Sequence, residues 1–483
     1  MHTLNARLSG KIALPALFVL LVYSAVFFRE RMLYSDAAYI LYNIINHKTL
    51  WIQEHRYGSF ITQFFPLAGV WLKLPLSLIV FLYSISFNLF YFVSGMILFR
   101  LRQYNFLLLL AFYLTACATE TFYWSNNEVH QGICWMLLTF GFLFYAVENG
   151  KSNALIIPVY TTLAFLALSS HPIVIVVTAG MFVFFFLDGQ VFHRDKRTLL
   201  WVLIVLAMTG LKTYLSATGS YDKAKMGMMA RYVLDGDPFK VLRNPTFTSF
   251  ARFAVQDYWQ ALALFAAGLA YLLSRKKYRL AAWTLLSVLA YLVCVSIVYP
   301  ASGYRYYLES EWMAVSLFAL LPFCRFVLPQ LNLRFAGILL LTFFSLRTLQ
   351  ILESRERFSN RFKAVARIAR SLQQEHVPKA IIRQYGEDSA LRNTLMLSWG
   401  LPCETLLLSA MEQKDRPVTA LLSFTPQFTR QKLEGSETRD FINPFWNQWY
   451  TELNRDYFRF DTTKPYIVLD GALQKNTVPE NTD

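Results

Sequence analysis

The chain has 483 residues, of which 55% are hydrophobic and only 16% are charged. Soluble domains carry about a quarter charged residues, so this composition excludes an ordinary soluble enzyme and indicates a multi-pass membrane protein. The formal net charge of +15 is typical of cytoplasmic turns that face anionic lipid. Because the basic residues are scattered between apolar segments, we expect a lipid bilayer and no nucleic acid as partner.

Apolar segments recur from residue 12 to residue 352 and then stop. A spanning helix needs about 20 apolar residues, and we predict eleven spans. They cover residues 12–29, 76–99, 105–120, 132–148, 153–169, 172–188, 198–216, 257–274, 280–299, 311–328 and 334–352. The predicted fold is mainly α: a transmembrane helical bundle over 1–354, followed by a small α/β extracytoplasmic domain over 355–483.

The charges of the short turns set the predicted orientation. With a cytoplasmic N-terminus, the turns that contain Arg100, Lys151, Lys196 and Arg275 are cytoplasmic and basic, as the positive-inside bias requires. The odd number of spans then places the C-terminal domain outside. Residues 217–256 do not follow the positive-inside bias, because they carry six basic residues on the predicted outer side. Either these basic residues bind a ligand or the predicted topology is shifted by one span, and we prefer the bound ligand.

Some segments allow a more specific expectation. Residues 61–74 are apolar but short and contain Pro66, so we predict a re-entrant or interfacial segment there. Residues 358–372 have apolar positions at helical spacing. Short strands of the C-terminal domain are predicted at residues 405–408, 418–424 and 465–469.

The first long polar interval, residues 29–60, holds one conspicuous carboxylate, Asp36. An ionised carboxylate within hydrogen-bond reach of an acceptor hydroxyl can act as a general base. The alternative is a helix N-cap at Ser35 or Asp36, and the residues alone divide these interpretations evenly. His55 and Arg56 follow in the same interval and are candidate substrate-binding residues.

A second polar interval carries Glu128 and His130, which alternate with Val129. Extended backbone would place both side chains on one face, and ionisable residues near membrane depth are functional candidates. They could supply a second carboxylate, or part of a divalent-metal site. They could equally be polar residues that open the next helix. Scattered ligands do not define a metal, so the metal stays unassigned.

Two later intervals on the same predicted side contain further candidates. His171 begins a span, where it is either a solvated helix-start residue or a donor that faces a ligand. Arg305 has a planar guanidinium that suits phosphate, and Arg56 has the same interpretation. Tyr304 is a candidate substrate contact, although interfacial tyrosines also form ordinary aromatic belts.

The sequence contains no GxxxxGK[ST], no GxGxxG before a helix, no GxSxG and no HExxH. These motifs mark nucleotide-driven transport, dinucleotide chemistry and common hydrolases. The sequence therefore gives no support to those classes.

The plan of the chain resembles the GT-C superfamily of membrane glycosyltransferases. The resemblance rests on a first span with an inner N-terminus, many spans, an outer C-terminal domain and an early aspartate in the first outer loop, Tyr34-Ser35-Asp36-Ala37-Ala38-Tyr39. It implies transfer of a hexose or pentose from a polyprenyl-phosphate donor to a glycan, lipid or protein acceptor on the extracytoplasmic face. Members often carry paired acidic residues in this loop. Here a second carboxylate must come from elsewhere, and we prefer Glu128 to Glu120.

The resemblance also implies a mechanism and a location. Asp36 would act as the base in an inverting displacement, and Arg305 and Arg56 would hold the leaving lipid phosphate. The expected location is a bacterial inner membrane. A polymerase or ligase of surface polysaccharide, a secondary transporter of a lipid-linked or anionic substrate, and a scaffold that binds a partner remain alternatives, although no internal repeat typical of transporters is present.

Overall fold

The computed structural model describes residues 2–149, 156–189, 197–235, 237, 239–300, 303–384, 390–434, 436–443, 445, 447–461 and 463–470. It is mainly helical, at 76%, which confirms the predicted helical class. Among the described residues, six helices are long and apolar enough to cross a membrane, and a bent pair of helices makes a seventh if it forms one span. The protein is therefore a membrane protein by the length and composition of its helices.

Seventeen helices form the first three quarters of the described chain. They are α1 His2–Val26, α2 Phe28–Met32, α3 Ser35–His47, α4 Phe60–Trp71, α5 Leu76–Arg100, α6 Tyr104–Thr115, α7 Glu128–Glu148, α8 Ile156–Ser170, α9 Pro172–Asp188, α10 Arg197–Thr218, α11 Ser220–Leu234, α12 Pro245–Gln256, α13 Trp259–Ser274, α14 Tyr278–Val298, α15 Arg305–Trp312, α16 Val315–Pro322 and α17 Leu333–Glu353. Short 3-10 or π-helical turns occur at Tyr57–Ser59, Glu120–Tyr123, Lys240–Arg243, Phe323–Val327 and Leu328–Gln330.

Ten of the eleven predicted spans each lie mainly in a single helix, although residues 153–155 lie outside the described residues. The predicted span 311–328 instead covers the end of α15, the eight-residue helix α16 and the turns that follow it. Four of these helices, α6, α8, α9 and α13, have 12 to 17 residues. At 1.5 Å per residue, α6 extends about 18 Å, which is less than the apolar thickness of about 30 Å. The number of eleven spans therefore remains a prediction.

Two segments that the sequence left without regular structure are helical. The short apolar segment at 61–74 forms α4, which contains Pro66 and packs against α5. The basic interval at 217–256 contains α11 and α12, and α11 packs against α14. The charges of this interval are therefore held on helices at one end of the bundle.

The chain after residue 354 forms a mixed α/β region. Its helices and strands are α18 Arg355–Gln374, β1 Lys379–Arg383, α19 Ala390–Leu395, α20 Leu401–Glu412, β2 Thr419–Ser423, α21 Pro426–Glu434, β3 Asp440–Ile442, β4 Asn447–Trp449 and β5 Ile467–Asp470. β1 is the centre of a parallel sheet in the order β2-β1-β5, with Ile381 opposite Leu421 and Val468. β3 and β4 are antiparallel.

The structure confirms the predicted helix at 358–372 and the strands at 418–424 and 465–469. The predicted strand at 405–408 is wrong, because these residues lie inside α20. A short apolar run cannot distinguish a buried strand from a buried helix. Here both faces of the helix are covered, since ten of its twelve residues are buried, so the run shows no amphipathic period.

The C-terminal region shares its core with the bundle. The largest hydrophobic cluster runs without interruption from Ile12 in α1 to Phe460. The ring of Tyr42 in α3 lies 5.3 Å from Phe441, and its hydroxyl donates to the side chain of Gln448. The predicted boundary at residues 354/355 falls at the break between α17 and α18, and the C-terminal region adds a small hydrophobic cluster of its own, formed by Ile381, Leu421, Ile442 and Tyr466.

Candidate functional site

Asp36 lies in the first turn of α3, where the positive end of the helix dipole favours a carboxylate. The N-cap position belongs to Tyr34, and no side chain caps the helix. The expectation that Ser35 or Asp36 is the N-cap is therefore wrong, because the helix begins one residue earlier than a cap at Ser35 requires. Instead, Oδ2 of Asp36 accepts a hydrogen bond of 2.8 Å from Nε1 of Trp124.

The C-terminal region fixes the backbone beside Asp36. Ser35 has a φ of 41°, a left-handed conformation that costs a non-glycine residue about 1–3 kcal/mol. Its N–H donates to Oε1 of Glu404 at 2.7 Å, and Arg361 holds Glu404 through two hydrogen bonds of 2.7 Å. Arg361 also covers the ring of Tyr34 at 4.2 Å. These contacts position the turn that carries Asp36.

A buried charge network lies next to this turn; it consists of Arg56, Glu128, Asp222 and Lys212. Arg56 donates to Glu128 at 2.9 Å and to Asp222 at 3.0 Å. Nζ of Lys212 lies 3.5 Å from the other oxygen of Asp222. Charged side chains are stable at such depth only when they are paired, and the network joins α7, α10 and α11 to the segment that precedes the 3-10 turn Tyr57–Ser59.

The environment of Asp36 suits a general base. The pKa of Asp36 is raised to about 6: burial is the main cause, the hydrogen bond from Trp124 and the charge of Arg56 lower it, and the negative charge of Glu128 raises it. A carboxylate with this pKa is ionised at neutral pH. It is also a stronger base than an ordinary aspartate, because proton affinity rises with pKa.

The structure separates Glu128 from His130. Both belong to α7, where residues two apart point to opposite sides, so the prediction that they share a face is wrong. Glu128 joins the charge network, whereas His130 is buried with Nδ1 2.7 Å from the hydroxyl of Tyr113. The other acidic candidate, Glu120, pairs with Arg357 at 3.1 Å. These positions favour Glu128 as the second carboxylate near Asp36.

A cavity of about 140 Å³ lies on the other side of the charge network; we name it the Lys225 cavity. Its polar lining consists of His171, Tyr221, Asp222, Lys225 and Tyr299, and apolar residues of α9, α11 and α14 form the rest. Nζ of Lys225 lies 4.3 Å from the ring centre of Tyr299, and no carboxylate pairs with it within the described chain. The cavity thus combines apolar walls with a cation that interacts with Glu311 only at longer range.

His171 contributes a defined proton donor to this cavity. Its Nδ1 accepts a hydrogen bond of 3.2 Å from the N–H of Ile173, which caps α9. Burial and the neighbouring cations Arg56, Lys212 and Lys225 lower the pKa of His171, so the ring is neutral. Because Nδ1 is an acceptor, the proton lies on Nε2. His171 therefore serves as a helix cap and also faces the cavity.

Aromatic rings connect Asp36 to the Lys225 cavity. The ring of Trp124, which donates to Asp36, lies 4.9 Å from the ring of Tyr307. Tyr307 in turn lies 5.2 Å from Tyr299 in the cavity wall. The base and the cavity are thus separated by two ring contacts, and Asp222 belongs to both the charge network and the cavity lining.

Three predicted site residues lie elsewhere. Arg305 donates to Glu309 at 2.8 Å and lies 3.3 Å from Asp257, so its guanidinium is neutralised by two carboxylates away from the Lys225 cavity. Tyr304 stacks on Tyr306 at 5.5 Å. His55 is exposed, with Nδ1 3.2 Å from the hydroxyl of Tyr57. The structure does not bring these three residues into the charge network.

Sequence reasoning did not single out Lys212, Asp222 or Trp124. A signal for Lys212 was available, because it is the one charged residue within the predicted span 198–216, and such residues are rarely without a function. Asp222 sits among basic residues in a segment interpreted as a loop, and only the fold shows that it meets Arg56. Trp124 gave no sign beyond its place in the second polar interval.

The described residues offer no group of three or more His, Cys, Asp or Glu side chains that could hold a metal ion. We therefore derive no chemical step through the divalent metal that the sequence left open. Comparison of the chain with protein-family models, with curated proteins and with solved structures finds no match. The assignment of function consequently rests on the chemistry of the site.

Proposed function

We propose that this protein is an integral membrane glycosyltransferase that moves a hexose or pentose from a polyprenyl-phosphate donor to an acceptor hydroxyl. The observation that carries the proposal is the combination of Asp36, a carboxylate of raised pKa, with the nearby Lys225 cavity. A base and a cation beside apolar walls are the groups that transfer from a lipid phosphate needs. The GT-C resemblance of the first outer loop agrees with this chemistry.

The reaction is an inverting displacement. Asp36 takes the proton of the acceptor hydroxyl while that oxygen forms a bond to the anomeric carbon of the donor. The bond between the anomeric carbon and the phosphate oxygen breaks, and its electron pair leaves with the polyprenyl phosphate. Lys225 and the Nε2–H of His171 stabilise the developing negative charge. Fixed donors of this kind act strongly because they are oriented before the reaction.

The charge network has a positioning role in this proposal. Both terminal nitrogens of Arg56 are occupied by Glu128 and Asp222, so Lys225 replaces Arg56 and Arg305 as the phosphate-binding cation. Glu128 faces Asp36 as a second negative charge and raises its pKa. Its role is to make Asp36 a stronger base. The acidic pair of this site is then formed by residues of two different loops.

The proposed topology has eleven spans, a cytoplasmic N-terminus and an extracytoplasmic site in a bacterial inner membrane. Support comes from the two ends of α7, where Glu128 belongs to the site and Glu148 lies 20 residues later near basic turns. At 1.5 Å per residue these ends are about 30 Å apart, which matches the apolar thickness of a bilayer. The positive-inside bias then assigns the end with the basic turns to the cytoplasm.

The test is transfer by the purified full chain in phosphatidylcholine nanodiscs. The substrates are radiolabelled polyprenyl-phosphate hexoses and pentoses with membrane extract as acceptor, and release of polyprenyl phosphate is measured. Asp36→Asn keeps the shape of the side chain but removes the base, so we expect loss of transfer with an unchanged gel-filtration profile. Asp415→Asn is the control, because Asp415 is exposed and pairs with Arg459. Full activity of Asp36→Asn would refute the assignment.

One observation keeps a secondary transporter as the second candidate. Arg56, Asp222 and Lys212 form a buried charged cluster between helices, which is also how transporters bind anionic substrates. A transporter would move the labelled lipid-linked sugar across a proteoliposome without releasing polyprenyl phosphate. A polysaccharide polymerase or ligase would release it, and the identity of the acceptor product separates these from a simple transferase.

A further inference from the structure

A second cavity lies at the opposite end of the bundle from Asp36; we name it the basic cavity. It has a volume of about 1100 Å³, and five cationic residues line it. They are Arg7, Arg100, Arg102, Lys277 and Arg325. These residues come from α1, the α5–α6 turn, the start of α14 and the π-helical turn after α16. Four separate parts of the chain thus direct positive charge into one space.

The positive charge of the basic cavity is only partly neutralised. Asp188 is buried and forms ion pairs with Lys277 at 3.7 Å and with Arg325 at 3.2 Å. Glu148 in the wall accepts a hydrogen bond of 2.9 Å from Gln103. Within the described ranges, Arg7, Arg100 and Arg102 have no carboxylate partner. In the lining that the structure describes, these three arginines therefore share the concave space with a single carboxylate, Glu148.

A smaller apolar chamber adjoins the basic cavity. It has a volume of about 100 Å³ and shares Arg102, Tyr104 and Arg325 with the larger space. Its inner wall is apolar and consists of Phe106, Leu109, Phe144, Phe185 and Leu321. A site with Arg7, Arg100 and Arg102 around its larger space and an apolar inner chamber fits a ligand that is both anionic and hydrophobic.

We propose that the basic cavity binds the phosphate headgroup of an anionic phospholipid. Arginine presents a planar fork of donors that suits phosphate oxygens, and Arg7, Arg100 and Arg102 supply three of them. The apolar chamber accepts the adjoining part of an acyl chain. A soluble phosphate would use the same arginines but would gain nothing from the chamber, which is why the structure favours the lipid. This proposal is independent of the glycosyltransferase assignment, because it shares no residue with that site.

General attraction between basic turns and the membrane surface is the competing explanation, and a matched pair of variants separates the two. One variant is Arg7→Gln/Arg100→Gln/Arg102→Gln. The control is Arg275→Gln/Lys276→Gln/Arg279→Gln, which removes the same charge from the exposed turn between α13 and α14 at the same end of the bundle. The full chain is purified, and phosphatidylglycerol that stays bound is measured by native mass spectrometry. Thermal unfolding is then followed in nanodiscs with and without phosphatidylglycerol.

We expect the wild type and the control variant to retain phosphatidylglycerol and to unfold at a higher temperature in its presence. A hydrogen bond to a charged group contributes roughly a 10- to 100-fold gain in affinity, so the cavity variant should bind about 100-fold more weakly than the wild type and the control. Equal loss in both variants would overturn the proposal in favour of general surface charge. Equal retention in both would also overturn it. Stabilisation of the wild type by inorganic phosphate as strong as that by phosphatidylglycerol would refute the lipid as the ligand.

Discussion

Nε1 of Trp124 donates a hydrogen bond of 2.8 Å to Oδ2 of Asp36, which joins the second polar interval of the chain to the start of α3. The contact fixes one oxygen of the carboxylate, and in the proposed reaction the other oxygen takes the proton of the acceptor hydroxyl. It also stabilises the ionised form, which opposes the effect of burial on the pKa of Asp36. The pKa of Asp36 therefore reflects burial, which raises it, and the opposing hydrogen bond from Trp124.

The first prediction concerns the pH dependence of transfer. The pKa of Asp36 is raised to about 6, and only the ionised form accepts a proton, so activity should fall as the pH decreases through about 6. Trp124→Phe removes the hydrogen bond that lowers this pKa. The acid limb of the pH–rate profile should then move to a pH about one unit higher. The measurement is the initial rate of transfer between about pH 5 and 9, a range that includes the expected midpoint of the acid limb at about 6.

Trp283→Phe is the matched control for this prediction. Nε1 of Trp283 also donates a hydrogen bond of 3.0 Å, but to the carbonyl oxygen of Gly180. Its loss removes an indole donor without touching Asp36, so the profile should keep the wild-type acid limb. If Trp124→Phe leaves the limb unchanged while Asp36→Asn is inactive, the indole does not control the base.

The second prediction compares two glutamates of α20. Glu404→Gln breaks the buried pair with Arg361, and loss of one partner of such a pair costs about 3–5 kcal/mol. Glu412→Gln breaks a pair with the exposed Arg370 and should cost less than about 1 kcal/mol. Thermal unfolding in detergent measures both. Transfer activity should fall only in Glu404→Gln, because only Glu404 holds the backbone N–H of Ser35.

The outcome that contradicts this second prediction is specific. Similar unfolding temperatures for the Glu404→Gln and Glu412→Gln proteins would show that the buried pair does not fix the C-terminal region on α3. A folded Glu404→Gln protein with full activity would show that the turn at Ser35 keeps its conformation without this contact.

The third prediction concerns binding of the donor. Lys225→Met removes the cation of the Lys225 cavity but keeps an apolar side chain of similar length. Since hydrogen bonds to charged groups contribute about 1.5–3 kcal/mol, kcat/KM for the polyprenyl-phosphate sugar should fall about 10- to 100-fold. Lys223→Met on the same helix is the control, because Lys223 is exposed. Equal effects of the two substitutions would exclude a specific phosphate contact.

The fourth prediction is a double-mutant cycle across the charge network. Asp222→Asn leaves Lys212 without its carboxylate in a buried position, and Lys212→Met leaves Asp222 with Arg56 alone. The double variant removes both members of the pair, so it should lose less free energy of unfolding than the sum of the single variants, by about 1–3 kcal/mol.

An exposed pair serves as the reference for this cycle. Lys240 lies 3.6 Å from Asp235, and both side chains are more than half exposed. The effects of Lys240→Met and Asp235→Asn should add to within about 0.5 kcal/mol. Additivity in the buried cycle as well would show that Lys212 and Asp222 do not interact in the folded protein.

The sequence was sufficient to place several site residues at one end of the bundle. Apolar runs locate the helices, and alternation of their direction brings Asp36, Arg56, Glu128 and His171 to the same end. This argument needs no knowledge of which way each side chain points. It could not show that Arg305 pairs with Glu309, because the sequence predicts a loop over residues 299–310, whereas the two side chains are four residues apart on the helix α15.

The remaining contacts depend on tertiary structure. Asp222 meets Arg56 across 166 residues of sequence, and no local pattern predicts such a pair. The separation of Glu128 from His130 depends on where α7 begins, and helix boundaries are the least certain part of a sequence-based prediction. Asn127 marks that start, because its side chain accepts a hydrogen bond of 2.9 Å from Val129.

The contact between Ser35 and Glu404 has a consequence for the order in which the protein is made. Residue 35 leaves the ribosome long before residue 404, yet its backbone is held by that residue in the folded chain. The early helices can therefore enter the membrane while the turn at Asp36 still lacks its support. A chain that ends after residue 354 should insert normally and remain inactive. If the proposed function is correct, the site can become active only after residue 404 has been synthesised and has bound the N–H of Ser35.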